Sequence, residues 1–320
     1  MSGLPAPDVQ QIARFLTIRF GSGVRDVRPL GAGQWSRAFS FDTDDSPLVV
    51  RFGDHDEDFA KDRIAASWQQ PGLPVPKFID MGEAFGTFYA ITERAEGKFL
   101  DRLTGSEVAE VLPSLLRVLD ALRRVPAPEA AGFGGWNRNG IGEHSSWRDA
   151  LLAVETIRPR ITGWKQRLQE WPECARAFDQ GVERLQVLAE QVPSRQDIIH
   201  RDWVNRNVLV TDANVTSVFD WGCSMYGDHL YDIAWLTFCV PWTLGFDRLE
   251  MLRLARQHYA NAEGLDPEDF DRRIDCYELH IGLGALTYQA FLGDESTAQW
   301  LATQIVASST EKAKAVRLRD

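Results

Sequence analysis

Cysteine is scarce in this chain, and the four present, Cys174, Cys223, Cys239 and Cys276, lie far apart. With no C-x-x-C pair and no Cys/His ligand spacing, neither a disulfide framework nor a structural zinc site is expected, and the four read as small core residues or free thiols. Basic charge is also short: 35 Lys and Arg stand against 46 Asp and Glu, a net charge of −11. A nucleic-acid surface needs clustered cations to displace counterions, so that partner is disfavoured, whereas a cationic small molecule is compatible. No apolar run approaches the roughly 20 residues that cross a bilayer. The opening MSGLPAPDVQQ has neither the basic start nor the apolar centre of a secretory signal, so the expectation is a cytoplasmic protein without a membrane partner. What remains is 320 residues, 44% hydrophobic and 25% charged, enough for a soluble enzyme of about two lobes. The oligomeric state stays open, and a monomer suffices.

Chemistry-bearing residues gather between Ile198 and Gly222, IIHRDWVNRNVLVTDANVTSVFDWG. Ile198 and Ile199 read as a strand leading into His200-Arg201-Asp202. Asn207 opens a second strand, Val208-Leu209-Val210; a turn signal at Asp212 to Asn214 precedes a third, Val215 to Phe219, which ends at Asp220. Three oxygen-bearing side chains thus sit at strand ends that a hairpin brings together. Phosphoryl transfer needs such a set: one carboxylate to orient and deprotonate a hydroxyl, and a carboxylate plus an amide oxygen to hold magnesium on nucleotide phosphates. Taken singly, Asp202 and Asp220 are ordinary turn residues, and His200 is expected to pack under the loop and donate to a backbone carbonyl.

Upstream, Val9, Ile12, Ala13 and Leu16 recur at helical spacing from an N-cap candidate at Asp8. A strand over Val24–Val27 leads to Leu30-Gly31-Ala32-Gly33-Gln34-Trp35-Ser36, and a second alternates through Phe39 and Phe41. Gly31 and Gly33 let backbone N–H groups approach an anion and Ser36 adds a hydroxyl, as a nucleotide-covering loop requires, although two glycines also suit a plain hairpin. A third strand, Pro47 to Phe52, carries Arg51. A helix is expected over Glu57–Gln70, then a hairpin formed by Lys77–Met81 and Thr87–Ile91. The polar exit Thr92 to Gly97 looks like an inter-lobe hinge, where the Glu93 carbonyl and Ala95 amide would contact adenine. Helical periodicity follows from Ser106, with Pro113 expected to kink or restart it. A glycine-rich connection precedes further helical stretches to Ala189, with Trp147 and Trp164 as core or loop anchors. After the catalytic stretch a helix begins at Gly227–Asp232, with Asp228 as its N-cap candidate and Asp232 placed to reach back to the catalytic loop. Segments around Arg248–Ala260, Pro267–Phe291 and Ser296–Ala313 are amphipathic.

The spacing of His200-Arg201-Asp202, Asn207 and Asp220-Trp221-Gly222 resembles the H-R-D-x-x-x-x-N loop and D-F-G motif of the protein-kinase-like superfamily, with Trp221 for the phenylalanine. That pattern places a lysine where Arg51 stands; arginine keeps the charge and offers a planar fork of donors, and a surface cross-strand arginine is the competing reading. The helix glutamate that would orient this cation is missing. Asp62, or failing it Asp58, is the substitute. The next helix starts about eight residues after Asp220, which leaves no peptide-docking segment and points to a small-molecule acceptor.

The motifs SRAFSF at Ser36–Phe41, FAKDR at Phe59–Arg63, LPVPKFIDMGE at Leu73–Glu83, GFG, GIG and WRD between Gly132 and Asp149, and YGD with PW between Tyr226 and Trp242 resemble the aminoglycoside phosphotransferase family, within it the hygromycin B phosphotransferase type. The resemblance runs from the leading helix to about Leu292. It implies an α+β, protein-kinase-like two-lobed fold: residues 1–93 as a nucleotide-binding lobe with a five-stranded antiparallel sheet and a helix, 94–99 as hinge, and 100–320 as a larger, mainly helical lobe with the catalytic loop and substrate site. It further implies transfer of the ATP γ-phosphoryl group to an antibiotic hydroxyl, conferring resistance, with Asp202 as base, Asn207 and Asp220 as Mg2+ ligands and Arg51 on the phosphates. A kinase of a sugar, amino alcohol or ketosamine would use the same machinery, and a nucleotide-binding pseudoenzyme is the third reading.

Overall fold

The computed structural model describes residues 7–129, 131–156 and 160–317, the side chains at 32, 241, 242 and 307–317 excepted. The first six residues of the opening stretch, and the side chains of the Pro-Trp pair, fall outside that set. In chain order come α1 (Val9–Phe20), β1 (Arg25–Ala32), β2 (Ser36–Asp42), β3 (Pro47–Gly53), α2 (Asp56–Ala66), β4 (Phe78–Ala84), β5 (Thr87–Glu93), β6 (Lys98–Phe99) and α3 (Gly105–Arg123). There follow β7 (Phe133–Trp136), β8 (Gly142–His144), α4 (Trp147–Leu152), α5 (Trp164–Gln169), α6 (Pro172–Ala189), β9 (Asp197–Ile199), β10 (Val208–Thr211), β11 (Asn214–Val218) and β12 (Met225–Gly227). The last helices are α7 (Leu230–Thr243), α8 (Arg248–Glu263), α9 (Pro267–Leu292) and α10 (Glu295–Arg317). No helix among the described residues is long and apolar enough to cross a membrane.

The chain forms two compact units, one of residues 1–131, 136–141 and 202–224, the other of 132–135, 142–201 and 225–320. In the first, an antiparallel sheet runs β1-β2-β3-β5-β4. Asp8 caps α1 as expected, in a capping box with Gln11. The helix lays Ile12 and Leu16 on Phe39, Phe41, Leu48, Val50, Phe52, Tyr89 and Ile91, all buried. Side chains alternate across a strand, so with Leu48, Val50 and Phe52 committed to this core, Arg51 emerges on the opposite face. Its register neighbours there are small, Ala38 on β2 and Ala90 on β5. Strands β11, β10 and β6 make a second sheet. A Cβ on Gly97 would sit 2.8 Å from the Val210 carbonyl, which is why the chain enters β6 through glycine.

Three sequence expectations change. Helix α3 runs unbroken through Pro113, without a restart, from a capping box of Thr104 and Glu107. Helix α2 stops at Ala66, short of Gln70, as Ser67 and Trp68 close it with three-residue-back bonds to Ile64 and Ala65. The glycine-rich connection contains β7 and β8, strands too short and too poor in β-formers to show periodicity.

In the second unit the sheet order is β8-β7-β12-β9. His229 stands at the residue before α7 without a side-chain cap bond, and it is the Asp228 Oδ1 that accepts the N–H of the first helical residue, Leu230, at 3.2 Å, one residue earlier than a regular N-cap. The same carboxylate also receives two bonds of 2.6 Å from Arg273 and one of 2.5 Å from the Tyr277 hydroxyl, which in turn accepts from Trp147 Nε1 at 3.3 Å. Gly227 is obligatory beside it, because a Cβ would lie 2.4 Å from the Trp147 ring. The WRD and YGD segments are thus two ends of one buried network. His229, 4% exposed, places Nδ1 2.8 Å from Asp197 and Nε2 3.0 Å from Glu263. The ligand atoms of Asp197, Asp228 and His229 lie close enough together for a metal. Arg195 and Arg273 already neutralise the two carboxylates, however, so the cluster reads as a structural ion network.

Two outcomes follow. In the β10–β11 hairpin, Asp212 and Ala213 both have positive φ, 47° and 57°. Such a turn favours glycine at its second position, so Ala213→Gly should stabilise the protein by about 1 kcal/mol, read as a higher urea midpoint. Burial pulls the His229 pKa down, but the bonds to Asp197 and Glu263 and the nearby Asp228 charge outweigh it and leave it raised above 6.5. The stabilisation from this imidazolium is therefore full below about pH 6.5 and lost as pH rises through the folded-state pKa. Urea midpoints should fall across that alkaline limb for the wild type, and His229→Gln should flatten the fall.

Candidate active site

The first unit brings the sequence-marked residues together through three elements. Asp202 follows directly on a segment anchored in the second unit, where the Asp232 carboxylate accepts the backbone N–H of His200 at 3.0 Å and of Arg201 at 2.8 Å. The anchored turn has a conformational cost: Arg201 and Arg206 both sit at positive φ, 66° and 63°. Non-glycine residues hold that conformation only where surrounding bonds over-determine it. His200 is fully buried, as its reading as a packing residue requires.

Within the loop, Asn207 Nδ2 donates to the Asp202 backbone carbonyl at 2.9 Å and to Asp202 Oδ2 at 2.8 Å. Asn205 Nδ2 donates to the other carboxylate oxygen of Asp202. Asn205 is not among the residues the sequence marks; its one signal there is an amide three residues after the aspartate, close enough to fold back in a turn. With its nitrogen spent on Asp202, the Asn207 amide keeps its oxygen as an acceptor. Phe219, next to Asp220, donates its N–H to the Asn207 carbonyl at 3.0 Å, which ties the two candidate metal ligands into one hairpin. Asp220 itself is in the left-handed region, φ 65°, ψ 68°, and its side chain is 44% exposed.

Arg51 is fixed beside it. One guanidinium nitrogen bonds Asp62 and another lies 3.5 Å from Asp220 Oδ1, with the cation 5.3 Å from the Phe59 ring centroid. Asp62 is therefore the helix carboxylate that pairs with the strand cation. Asp58, the weaker candidate, lies against Gly222, where a Cβ would meet its Oδ1 at 3.0 Å. Asp62 has a second duty: its Oδ1 accepts the Trp221 N–H at 2.9 Å.

The remaining candidates are placed on the backbone. Gly31 lies in β1 and Gly33 at the hairpin tip, where its N–H meets the Ser36 carbonyl at 2.8 Å. Among the described residues, a Cβ at Gly31 would meet nothing within 4 Å and one at Gly33 only the Ser36 carbonyl at 3.8 Å. Neither glycine is demanded by packing inside the chain. Glu93 ends β5 with its N–H on the Lys77 carbonyl, and Arg94 donates to the Pro47 carbonyl. Ala95 follows in the connector to β6.

A sequence profile described as the phosphotransferase enzyme family matches residues 26–273. Hygromycin-B 4-O-kinase of Escherichia coli is 29% identical over 298 residues, covering 92% of this chain and 84% of that protein. A thermostable mutant of aminoglycoside phosphotransferase APH(4)-Ia, solved as a ternary complex with AMP-PNP and hygromycin B, superposes with a TM-score of 0.81 at 30% identity, over 94% of this chain and 99% of the other. The GDP complex of an aminoglycoside 2'-phosphotransferase-IIIa mutant shares only the fold, with a TM-score of 0.63 at 13% identity, over 96% of this chain and 99% of that one.

The double use of Asp62 sets a ranking. Asp62→Ala removes the partner of Arg51 and strands the Trp221 N–H, and should cost about 2–4 kcal/mol. Asp62→Asn keeps an acceptor for that N–H and should cost about half as much, by urea unfolding of the two variants side by side.

Proposed function

This chain belongs to the phosphotransferase enzyme family, and we propose that it transfers the γ-phosphoryl group of ATP to a hydroxyl of an aminoglycoside of the hygromycin B type, conferring resistance. The observation that carries this reading is the Asp202–Asn207–Asp220 constellation, in which the Asn207 amide nitrogen is bonded to Asp202 and its oxygen is left to a cation. Asp202, aligned by Asn205 and Asn207, would orient the acceptor hydroxyl and take its proton on a carboxylate oxygen.

A carboxylate and an amide oxygen are hard donors, and two of them leave room for phosphate and water ligands, which fits Mg2+. Asn207 and Asp220 would hold it, and when bound it neutralises charge on the transferring phosphates. Arg51, braced by Asp62 and stacked on Phe59, is a fixed cation facing the same phosphates. Gly31, Gly33 and Ser36 would cover them, and the Glu93 carbonyl with the Ala95 amide would hold adenine. On this reading residues 1–93 are the nucleotide lobe, 94–99 the hinge and 100–320 the catalytic and substrate lobe. The net charge of −11 is compatible with a polycationic acceptor and disfavours nucleic acid as partner, and the reading places the reaction in the cytoplasm.

The test is a panel of aminoglycosides, sugars and amino alcohols incubated with protein, ATP and Mg2+, read as mass gain of one phosphate. Hygromycin B or a relative should be modified, and Asp202→Asn should lose on the order of 10²–10⁴ in rate while still binding nucleotide. Phosphorylation of a sugar or amino alcohol alone overturns the substrate class. Nucleotide binding without transfer to any acceptor overturns the enzyme reading.

A further inference from the structure

Lys61 is buried, with 5% of its surface exposed. Removing an ammonium from water is costly unless partners replace the solvent, and the partners here are specific. Nζ donates to the Gly222 carbonyl at 3.0 Å, lies 5.3 Å from the Trp136 ring centroid, and is 3.6 Å from Glu57 one turn earlier on α2. Trp136 meets Trp68 edge-on at 6.0 Å, and Trp68 meets Trp221 edge-on at 5.4 Å, so aromatic rings enclose the contact.

The place of that carbonyl is what matters. Asp220 is held at φ 65°, a left-handed conformation that costs a non-glycine residue energy, less for aspartate than for most, and that the bonds around it help to hold. Of the two residues that follow it, Trp221 has its N–H taken by Asp62 and Gly222 its carbonyl by Lys61. Adjacent residues of one helix therefore grip the turn from its donor side and its acceptor side. Asp58 shares that face one turn away and approaches closely enough that a Cβ at 222 would lie 3.0 Å from its Oδ1. An apolar residue of the same length would cover Trp136 equally well but would leave the Gly222 carbonyl without this donor.

We propose that Lys61 is a positioning residue for the metal–nucleotide half of the reaction, holding the Gly222 carbonyl and through it the direction of the Asp220 carboxylate. The proposal rests on the reading of Asp220 as a magnesium ligand.

Calorimetric titration of ADP with and without Mg2+ tests it on wild type, Lys61→Met and Lys61→Arg, with urea midpoints as a check on folding. Lys61→Met should weaken Mg2+-dependent ADP binding on the order of ten-fold, the scale of one charge-assisted hydrogen bond. Binding without Mg2+ should stay within about two-fold, and Lys61→Arg should recover most of the loss. A folded Lys61→Met protein with the wild-type magnesium response overturns the proposal, as does an equal loss with and without the ion. Should Lys61→Met not fold, Lys61→Gln decides: its amide retains a donor, so a preserved magnesium response supports the carbonyl grip and a vanished one refutes it. Phosphate transfer by the wild type separates the two levels. Transfer together with an unaltered Lys61→Met titration removes only the role of Lys61, whereas a wild type whose ADP binding ignores Mg2+ removes the Asp220 reading as well.

Discussion

A single buried carboxylate, Asp62, joins the parts of the candidate site. One oxygen takes the Arg51 guanidinium from β3 and the other the Trp221 N–H from the turn after Asp220. The strand cation and the metal-side turn are thereby referred to the same atom group on α2, and displacing the helix would move both. A buried ion pair contributes little net stability against an apolar replacement, but it is intolerant of losing one member. That asymmetry suits a joint whose value lies in geometry.

The candidate catalytic loop is held by a comparable device from its other end. Asp232 accepts two successive backbone N–H groups before Asp202, and the Asp202 side chain is held by the amides of Asn205 and Asn207. Left-handed residues at Arg201, Arg206 and Asp220 mark where the backbone departs from its preferred conformations. Each such residue costs of order 1–3 kcal/mol, offset by the bonds around it. Such bonds suit residues proposed to place reacting groups, since misplacement by an ångström is expensive in rate. Farther along α7 and α9, the networks centred on Asp228 and His229 fix the start of the helix that carries Asp232.

The five strands of the first sheet, the helices on either side of the catalytic stretch and the Asp202, Asn207 and Asp220 set were legible from local chemistry: alternation, caps, turn residues and a spacing with few free choices. The strands β7 and β8 were not, because Phe133–Trp136 and Gly142–His144 are glycine-bearing segments whose pairing comes from neighbours distant in sequence. Asp228 was legible as an acidic residue before a helix but not as the acceptor of Arg273 and Tyr277, which lie more than forty residues away. Nor could Asn205 be separated from any exposed turn asparagine.

The sequence alone determined which side chains are candidates for the chemistry and the order in which strands present them, since these depend on residue type and on periods of two and 3.6. Only tertiary structure decided the pairings: Asp62 rather than Asp58 for Arg51, Lys61 for the Gly222 carbonyl, and Arg273 with Tyr277 for the Asp228 carboxylate that also meets the first N–H of α7. Such choices depend on where elements far apart in the chain come to rest, and a one-residue rotation on α2 exchanges one partner for another.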